Sequence, residues 1–396
     1  MRTTHVLREG DAAEMETLDD ESVHLVVTSP PYPMIELWDD LFAARDPAVE
    51  EALAAGEGDA AFELMHDQLD AVWDEVERVL APGGTLCINV GDATRTVGGE
   101  FQQYPNHVRV VDALRSRGLT PLPDVLWRKP ANSLTKFMGS GTLPPNAYVT
   151  LEHEYVLLFR KGGLREFPPA DDRRYESAFF WEERNRWFSD LWEVRGERQG
   201  LDGDGRDRSA AFPLTVPLRL IRMFSVRGDT VLDPFVGTGT TTLAAMHAAR
   251  NSVGYDVDGD LFGTVEDRVD GLPTASGRRV RDRLDRHREA MADRDGGYDA
   301  EHYDFDVVTK QERRVRLYAV ESVERLAGEG GDVGSDAGGR SVDGDAERTA
   351  RVEADGVGAD REDGSAGGDG ADRRVRGYAL THAPVDGNDF EGAAER

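Results

Sequence analysis

Short apolar runs alternate with helix-like patterns along the first two thirds of this 396-residue chain. Residues 23–27 (VHLVV), 85–90 (TLCINV) and 155–159 (YVLLF) each have the length and composition of a buried strand. Between the first two runs, apolar residues recur at steps of three and four over residues 62–79, a pattern typical of an amphipathic helix. Strands that alternate with helices in this way predict an α/β fold with a mostly parallel sheet.

The composition of the chain changes near residue 270. Residues 1–270 hold all six tryptophans and carry a net charge of −20, whereas residues 271–396 carry −9 and contain two Gly/Asp/Ala-rich stretches, 328–347 and 354–374. Such stretches bury too little apolar surface to offset the entropy lost on folding, so we predict that they are disordered. The sequence therefore predicts one domain over residues 1–270 and an acidic, largely disordered extension over 271–396, with a small structured piece at 303–327.

The net charge and the choice of basic residues both depart from the average protein. The net charge is −29 at pH 7, and only four of the 47 basic residues are lysines. This composition resembles that of halophilic archaeal proteins. A GC-rich genome alone would also favour arginine over lysine, but it would not produce so large a negative charge.

Membrane segments and cysteine-based frameworks are excluded at the level of sequence. No run approaches the roughly 18 apolar residues of a membrane span, and the N-terminus lacks an apolar signal core. We therefore expect a soluble, cytoplasmic protein with no membrane partner. The single cysteine, Cys87, excludes a disulfide framework and a cysteine-based zinc site.

A glycine-rich motif lies between a strand-like run and a helix-like run. Residues 233–241 (DPFVGTGTT) follow the apolar residues 230–232, and the next strand-like run ends at Gly254-Tyr255-Asp256. An acidic residue at the tip of that second strand can accept both ribose hydroxyls of an adenosine-containing cofactor. Thr242 stands where a dinucleotide fingerprint needs its third glycine, and a phosphate loop would need Gly-Lys-Ser/Thr. The motif therefore indicates a different adenosine cofactor, or else a tight strand–helix turn without a ligand.

A second motif, residues 28–32 (TSPPY), directly follows the apolar run at 23–27. Two consecutive prolines fix φ and have no N–H to donate, so their loop is rigid. It would present the Ser29 hydroxyl, the Pro30 carbonyl and the Tyr32 ring to a flat substrate. A proline-stiffened loop without a catalytic role is the alternative interpretation.

Together, the two motifs resemble those of the DNA amino-methyltransferases, which transfer a methyl group from S-adenosylmethionine to exocyclic nitrogens of DNA bases. The Ser-Pro-Pro-Tyr form is similar to the cytosine-N4 branch, and the order of the motifs, catalytic before cofactor, is similar to the permuted β class. Further matches are residues 10–11 (GD), 82–86 (PGGTL), 154–161 (EYVLLFRK) and 190–192 (DLW). The resemblance covers residues 5–265. It implies a Rossmann-like methyltransferase fold and a site-specific cytosine-N4 DNA methyltransferase, of restriction-modification or solitary type, that acts on double-stranded DNA.

The resemblance also implies roles for individual residues. The target base would enter a catalytic pocket that needs no metal ion and is formed by Ser29, Pro30, Pro31 and Tyr32. S-adenosylmethionine would be held by Asp11, Phe212, Asp233, Phe235, Gly237, Gly239, Thr240 and Asp256.

A local reversal of charge suggests where DNA is contacted. Residues 101–165 carry nine basic and four acidic side chains, although the chain as a whole is acidic. We therefore expect DNA-recognition elements within residues 101–200. The candidate DNA-binding side chains are Arg128, Lys129, Lys136 and Lys161.

Several alternatives stay open at this point. The nearest alternative is adenine-N6 methylation by the same fold. A serine at the start of the catalytic motif is typical of cytosine-N4 enzymes, but the rule has exceptions. A non-catalytic protein that binds DNA or senses the cofactor is the alternative from another class. A cognate restriction endonuclease and a monomeric or homodimeric state are further expectations, and solitary enzymes of halophilic archaea suggest CTAG as the recognition sequence.

We expect methylation activity to rise from low salt into the molar range. The charge of −20 on residues 1–270 repels DNA at low ionic strength, and about 1 M salt shortens the Debye length to about 3 Å. The measurement is the methylation rate against KCl concentration, and deletion of residues 328–396 is expected to leave the profile unchanged. Ordinary DNA binding weakens steeply above about 0.1 M salt, and the same behaviour here would contradict the expectation.

Overall fold

Ten strands pair into one sheet in the computed structural model, which describes residues 1–129, 138–195, 212–294, 296–326 and 374–385. Six further strands form three small antiparallel hairpins, β4–β5, β7–β8 and β13–β14, within the same residues. The strands are β1 (Arg2–Glu9), β2 (Val23–Thr28), β3 (Leu80–Val90), β4 (Ala93–Val97), β5 (Glu100–Tyr104), β6 (Thr120–Arg128), β7 (Met138–Gly139), β8 (Ala147–Tyr148), β9 (His153–Arg160), β10 (Leu191–Glu193), β11 (Thr230–Asp233), β12 (Asn251–Asp256), β13 (Tyr298–Asp299), β14 (Asp306–Val307), β15 (Tyr318–Leu326) and β16 (Val375–Pro384).

The centre of the sheet is parallel and its flanks are mixed. The strand order is β10-β6-β9-β3-β2-β11-β12-β1-β16-β15. The run β3-β2-β11-β12-β1 is parallel throughout, whereas β9 and β16 are antiparallel to their inner neighbours β3 and β1. This arrangement confirms the predicted α/β fold with a mostly parallel sheet. We call the edge where the five central strands end the carboxyl edge, and the opposite edge the amino edge.

Helices cover both faces of the sheet. They are α1 (Asp39–Arg45), α2 (Ala48–Ala55), α3 (Gly58–Val79), α4 (Asn106–Ser116), α5 (Asp172–Glu176), α6 (Trp181–Trp187), α7 (Thr215–Phe224), α8 (Thr240–His247), α9 (Gly263–Val269) and α10 (Leu272–Met291). Short 3₁₀ turns occupy Glu36–Trp38, Gly259–Phe262 and Lys310–Arg314. The helix predicted over residues 62–79 is confirmed as the major part of α3, and its apolar positions are buried.

The side chains of a central strand are shared between two cores because successive residues point to opposite faces. Val26 of β2 and Leu86 of β3 belong to the core formed with α1–α4. Leu25 and Cys87, one residue away on the same strands, belong to the core formed with α7 and α8. Both faces are therefore apolar, which is why β2 reads as a continuous apolar run.

The part of the chain after residue 270 joins the same sheet. β16 pairs antiparallel with β1 from Arg2↔Thr381 to Arg8↔Val375, and β15 pairs with β16. Tyr378 and Leu380 of β16 are buried in a core that also includes Leu7 of β1. The boundary drawn at residue 270 therefore does not separate two structural units. The expected structured piece at 303–327 overlaps β15, while α10 and β16 are additional.

The sequence analysis did not predict β16 because this strand directly follows a stretch rich in Gly and Asp. Its partner β1 needs a neighbour on its outer side, since an unpaired edge leaves a row of backbone groups open to other chains. The predicted disorder of 328–347 and 354–373 concerns residues outside those described and stays a prediction. No helix among the described residues is both long and apolar enough to cross a membrane.

We expect deletion of residues 374–396 to destabilise the protein, contrary to the expectation for a dispensable extension. The deletion removes β16 and with it the burial of Tyr378 and Leu380, which contribute about 1.5–3 kcal/mol each. Denaturant unfolding measures the loss.

The matched control keeps β16 and removes the connection that precedes it. Leu326 pairs with Gly377, so the ends of β15 and β16 are adjacent, and a short Gly-Ser turn can replace residues 330–370. This variant should unfold like the full chain. Equal stability of all three proteins would show that β16 is not required.

Candidate active site

Four neighbouring strands bring the two sequence motifs to one place on the carboxyl edge. β2 ends at Thr28, β11 at Asp233, β12 at Asp256 and β1 at Glu9, and these strands lie side by side in the sheet. The loops that follow them therefore meet, although they come from distant parts of the sequence. Ligands of open α/β sheets bind in this position.

A cavity of 420 Å³ lies between these loops and helices α1 and α3, within the size range of small-molecule sites. Predicted residues that line it are Asp11, Ser29, Pro30, Pro31, Tyr32, Phe212, Asp233, Phe235, Gly237, Thr240 and Asp256. Apolar side chains of the 3₁₀ turn and the two helices complete the wall: Leu37, Trp38, Leu41, Phe42, Leu69 and Val72. The structure thus joins the predicted catalytic and cofactor residues in a single cavity.

Asp256 holds the glycine loop in place. Its Oδ2 accepts a hydrogen bond from the Gly237 N–H at 2.8 Å, and its Oδ1 accepts one from the Asp258 N–H at 3.0 Å. Gly237 has φ +51°, and a Cβ built there would meet nothing within 4 Å. The loop therefore presents bare backbone to the cavity, beside a carboxylate whose two oxygens can each accept more than one hydrogen bond.

Gly239 is the predicted cofactor residue that the cavity lining does not include. It caps the N-terminus of α8 with φ +75°, and a Cβ there would lie 2.1 Å from Cγ2 of Val265 on α9. The glycine is thus required by the close approach of α9 and by its left-handed backbone. Its cofactor role stays a prediction that the resemblance implies.

The catalytic loop is tied to a polar network behind the cavity wall. Tyr32 Oη donates to Glu154 Oε2 at 3.1 Å and accepts from Asn89 Nδ2 at 2.7 Å. Asn89 Nδ2 also donates to Glu154 Oε2 at 2.7 Å, and Lys129 Nζ donates to Glu154 Oε1. Ser29 Oγ lies 3.0 Å from Tyr32 Oη. Five side chains from β2, β3, β6 and β9 and their loops are thereby connected.

The network orients the Ser29 hydroxyl. Tyr32 has a single O–H proton, which the hydrogen bond to Glu154 uses. In the contact between Ser29 and Tyr32 the serine must therefore be the donor. Its oxygen lone pairs are left to accept from a group in the cavity. Burial and the charge of Glu154 raise the pKa of Tyr32 well above its usual value, so the phenol stays protonated.

Asn89 and Glu154 were not assigned a role from the sequence. Asn89 is a polar residue inside the apolar run 85–90, and Glu154 begins the matching stretch 154–161. A Cβ at Gly91 would lie 3.1 Å from Tyr32 Cε2 and 3.2 Å from Glu154 Cγ. The sequence did contain a signal for this contact. Asn89 is a polar residue near the end of a buried strand, two positions before Gly91.

Comparison with known proteins identifies the family to which this arrangement belongs. The N6/N4 DNA methylase family matches residues 23–265, more than half of the chain. The chain belongs to this DNA methylase family. The prediction of an amino-methyltransferase is confirmed at that level.

Individual relatives of this DNA methylase cover most of its length. The Type II methyltransferase M.MthZI of Methanothermobacter thermautotrophicus is 50% identical over 331 residues, 82% of this chain and 93% of the relative. M.MjaI of Methanocaldococcus jannaschii is 50% identical over 278 residues, 67% of this chain and 91% of the relative. A putative DNA modification methylase from Thermus thermophilus, solved in complex with S-adenosyl-L-methionine, is 33% identical with a TM-score of 0.53 and covers 67% of this chain and 92% of that one.

The candidate DNA-binding residues of this methylase are divided between the two edges of the sheet. Arg128 ends β6 at the carboxyl edge, with half of its side chain exposed, and Lys129 follows it. Lys161 follows β9, which is antiparallel to β3, so it lies at the amino edge. There its Nζ donates to the Glu77 carbonyl at 2.6 Å. Lys136 lies outside the described residues.

The basic residues of 101–165 do not form one positive face. Arg109 pairs with Asp70 of α3 at 2.8 Å, and Arg117 pairs with Asp74 at 2.7 Å. Lys161 pairs with Glu77 at 3.1 Å. Counting charges along the chain could not reveal this, because α3 supplies the acidic partners from residues 58–79. Lys161 therefore joins the end of β9 to α3, on the edge opposite the cavity, and its contact with DNA stays a prediction.

Asp233 is a buried carboxylate in the cavity wall. Its Oδ1 accepts from Thr28 Oγ1 at 2.6 Å and from the Phe235 N–H at 3.1 Å. Burial outweighs these hydrogen bonds and raises the pKa of Asp233 to about 6. A cation bound in the cavity would favour its ionised form.

We expect Asp233→Asn to raise the free energy of unfolding near pH 7.5 and to have little effect near pH 4. Because the folded pKa is raised from 3.8 to about 6, stability falls as pH rises through this interval. The ionised form costs on the order of 3 kcal/mol above it. Denaturant unfolding at the two pH values measures the difference. Asp11→Asn is the control, because Asp11 pairs with Arg45 at the cavity mouth. A gain that is equal at both pH values would contradict the assignment.

Proposed function

We propose that this DNA methylase transfers a methyl group from S-adenosylmethionine to the exocyclic N4 of cytosine in double-stranded DNA. The observation that carries the proposal is the Ser29 hydroxyl. It is held at the cavity by Tyr32 and Glu154 with its lone pairs free to accept. A serine at this position is the form that resembles the cytosine-N4 branch.

The cavity residues fit S-adenosylmethionine, with which the Thermus thermophilus relative was solved. Asp256 would accept from the ribose hydroxyls, and Phe235 with Leu69 and Val72 of α3 would enclose the adenine. Asp233 would favour a cationic methionine moiety, because a positive charge there would stabilise the ionised carboxylate that burial disfavours. Bound there, the cofactor supplies an electrophilic methyl group on a sulfonium centre.

Ser29 and Pro30 make the amino group of cytosine a better nucleophile. That nitrogen is a poor nucleophile because its lone pair is delocalised into the ring. Two acceptors, Ser29 Oγ and the Pro30 carbonyl, would hold its two N–H groups and favour a pyramidal nitrogen. They would also stabilise the positive charge that develops on nitrogen during transfer.

Through Tyr32, the negative charge of Glu154 acts on the Ser29 acceptor. The chain of hydrogen bonds from Ser29 through Tyr32 ends on the Glu154 carboxylate, which Lys129 holds in place. As positive charge develops on the substrate nitrogen, each hydrogen bond along the chain can strengthen. Glu154 and Asn89 are positioning residues, since they act through Tyr32 and Ser29.

Chemistry at carbon 5 of cytosine would require a different residue. A cysteine thiolate has to attack the ring in that reaction, and the one cysteine of the chain, Cys87, is fully buried in β3. Burial raises the pKa of the Cys87 thiol, which disfavours the thiolate.

The target base has to leave the duplex to reach the cavity. Base-modifying enzymes extrude their target into a pocket and stack it on aromatic or apolar side chains, a role that suits Tyr32. The exposed Arg128 at the same edge would contact phosphates. The β7–β8 hairpin precedes β9 in the chain and has Leu143, Tyr148 and Val149 exposed in or near it, so it would meet the DNA surface.

The experiment that tests the proposal is nucleoside analysis of DNA methylated by the purified protein. N4-methylcytosine is the expected product. N6-methyladenine would retain the fold and cofactor but overturn the choice of base. Absence of transfer with bound S-adenosylmethionine would favour a cofactor-sensing protein. Sequencing of the methylated DNA would give the recognition sequence, and a cognate restriction endonuclease and the oligomeric state stay predictions.

We expect Ser29→Ala to lower kcat by about 100- to 1000-fold, the effect of removing one polar group that stabilises transition-state charge. Glu154→Gln should lower kcat by about 10-fold, because an amide cannot carry the charge that polarises Tyr32 and Ser29. Cofactor affinity should stay unchanged in both variants. Methylation rates and calorimetric binding of S-adenosylmethionine are the measurements.

Glu152→Gln is the matched control for Glu154→Gln. Glu152 lies two residues earlier and pairs with the exposed Arg128 at 3.4 Å. Normal methyl transfer by Ser29→Ala would rule out Ser29 as the acceptor. Equal losses of kcat in Glu152→Gln and Glu154→Gln would show that Glu154 has no special role.

We expect Asp256→Ala to weaken S-adenosylmethionine binding by about 10- to 100-fold. Hydrogen bonds to a charged group contribute about 1.5–3 kcal/mol each, and the variant also frees the Gly237 loop. Calorimetry measures the affinity. Asp260→Ala, which removes an exposed carboxylate paired with Arg374, is the control. Unchanged affinity in Asp256→Ala would contradict the ribose assignment.

A further inference from the structure

A second cavity lies at the amino edge of the sheet, remote from the candidate active site. In the described part of the chain, five arginines and one glutamate are among the residues that line this cavity of 30 Å³. The arginines come from separate elements: Arg222 from α7, Arg227 before β11, Arg250 before β12, Arg283 from α10 and Arg316 before β15. We call this set the arginine pocket.

Arg283 and Arg227 are held by carboxylates within the described part of the chain. Arg283 forms a bidentate pair with Glu183, at 2.6 and 2.7 Å. Arg227 donates to Glu176, and its guanidinium lies 4.1 Å from the centre of the Tyr318 ring.

Arg250 is held differently. It is 4% exposed and donates to neutral oxygens: Ser225 Oγ at 3.0 Å, the Ser225 carbonyl at 2.7 Å and the Ala248 carbonyl. Burial lowers the pKa of Arg250 to about 9, and burial with repulsion from Arg283 lowers that of Arg222. Arg222 and Arg250 therefore add positive charge to the pocket that no ion pair among the described residues balances.

Hydrogen-bond donors in the pocket are left over as well. Arg227 Nε is a buried donor without a hydrogen-bond partner among the described residues, and His247 Nδ1, which donates or accepts according to the tautomer of the ring, is also without one there. Both residues are buried and line the pocket. Buried donors without partners are rare in folded proteins because each costs desolvation free energy.

We propose that the arginine pocket binds a small inorganic anion of the size of chloride. One water molecule needs a cavity of about 10–15 Å³. A cavity of 30 Å³ therefore has room for a monatomic anion but not for a nucleotide. N–H groups of guanidinium ions form strong, charge-assisted hydrogen bonds to anions. An anion there would neutralise excess charge and satisfy the donor of Arg227.

The position of the pocket gives the anion a structural consequence. Arg222, Arg227 and Arg250 belong to the catalytic part of the fold, whereas Arg283 and Arg316 belong to the part after residue 270. A bound anion would connect the two parts where the arginines otherwise repel one another. Chloride would thus stabilise the docking of α10 and β15, whatever reaction the active site performs.

The first test compares two potassium salts with the full-length protein. The unfolding midpoint is measured against KCl and against potassium glutamate at equal ionic strength, since glutamate is too large for the pocket. If chloride binds specifically, the midpoint should be about 5 °C higher in KCl than in potassium glutamate. Above Kd, this difference should grow with the logarithm of the chloride concentration. Equal midpoints in the two salts would overturn the proposal.

The second test uses two variants of one helix. Arg222→Gln removes a pocket arginine, and Arg219→Gln removes an arginine that lies over Trp192, 5.2 Å from its ring centre, outside the pocket. Arg222→Gln should lose the difference between the salts and be no less stable in glutamate, because it relieves repulsion. Arg219→Gln should keep the difference. Retention of the full difference in Arg222→Gln would place the chloride effect elsewhere and overturn the proposal.

Bromide provides a direct measurement if the variants fold poorly. Crystals of the full chain grown in NaBr should show an anomalous peak within the arginine pocket. A pocket without a peak would indicate that it holds water only. A peak accompanied by identical midpoints in the two salts would indicate an adventitious ion only, and either result rejects the proposal.

Discussion

A buried hydrogen bond from Thr28 Oγ1 to Asp233 Oδ1, 2.6 Å long, joins the ends of two neighbouring strands. Thr28 is the last residue of β2 and begins the catalytic motif, while Asp233 is the last residue of β11 and begins the glycine motif. The parallel pairing of Leu25 with Val231 and of Val26 with Leu232 sets the register that makes this bond possible. The geometry of the cavity depends on this register, because a shift by one residue would move the side chains of one strand to the opposite face of the sheet.

Buried charge has opposite signs at the two edges of the sheet. At the carboxyl edge, Asp233 is held with a raised pKa in a cavity suited to a cationic cofactor. At the amino edge, Arg250 is held with a lowered pKa among other arginines. In both places the fold tolerates a charge that burial disfavours, and a ligand of the opposite charge would relieve it. The cofactor at the carboxyl edge and the proposed anion at the amino edge would therefore each stabilise the fold on binding.

The sequence predicted the fold class and most of the cavity for physical reasons that can be identified. A strand buried on both faces must be apolar along its length, so residues 23–27 and 85–90 could be recognised without a structure. The glycine and proline motifs are local, and their backbone requirements are the same wherever they occur. The packing of Gly239 could not be predicted because its contact, Val265, lies on a different helix. The ion pair of Lys161 could not be predicted because its partner lies on α3, which is distant from it in sequence.

The sequence by itself determined which residues could form strands, which loops had to be rigid, and which pattern of side chains resembles a methyltransferase. Those properties reside in short segments and depend on backbone sterics and burial. Tertiary structure alone decided that Glu154 and Asn89 stand behind Tyr32 and that β16 covers β1. It also decided that five scattered arginines meet in one pocket. These contacts join residues from distant parts of the chain, and they exist because strands adjacent in the sheet are not adjacent in sequence.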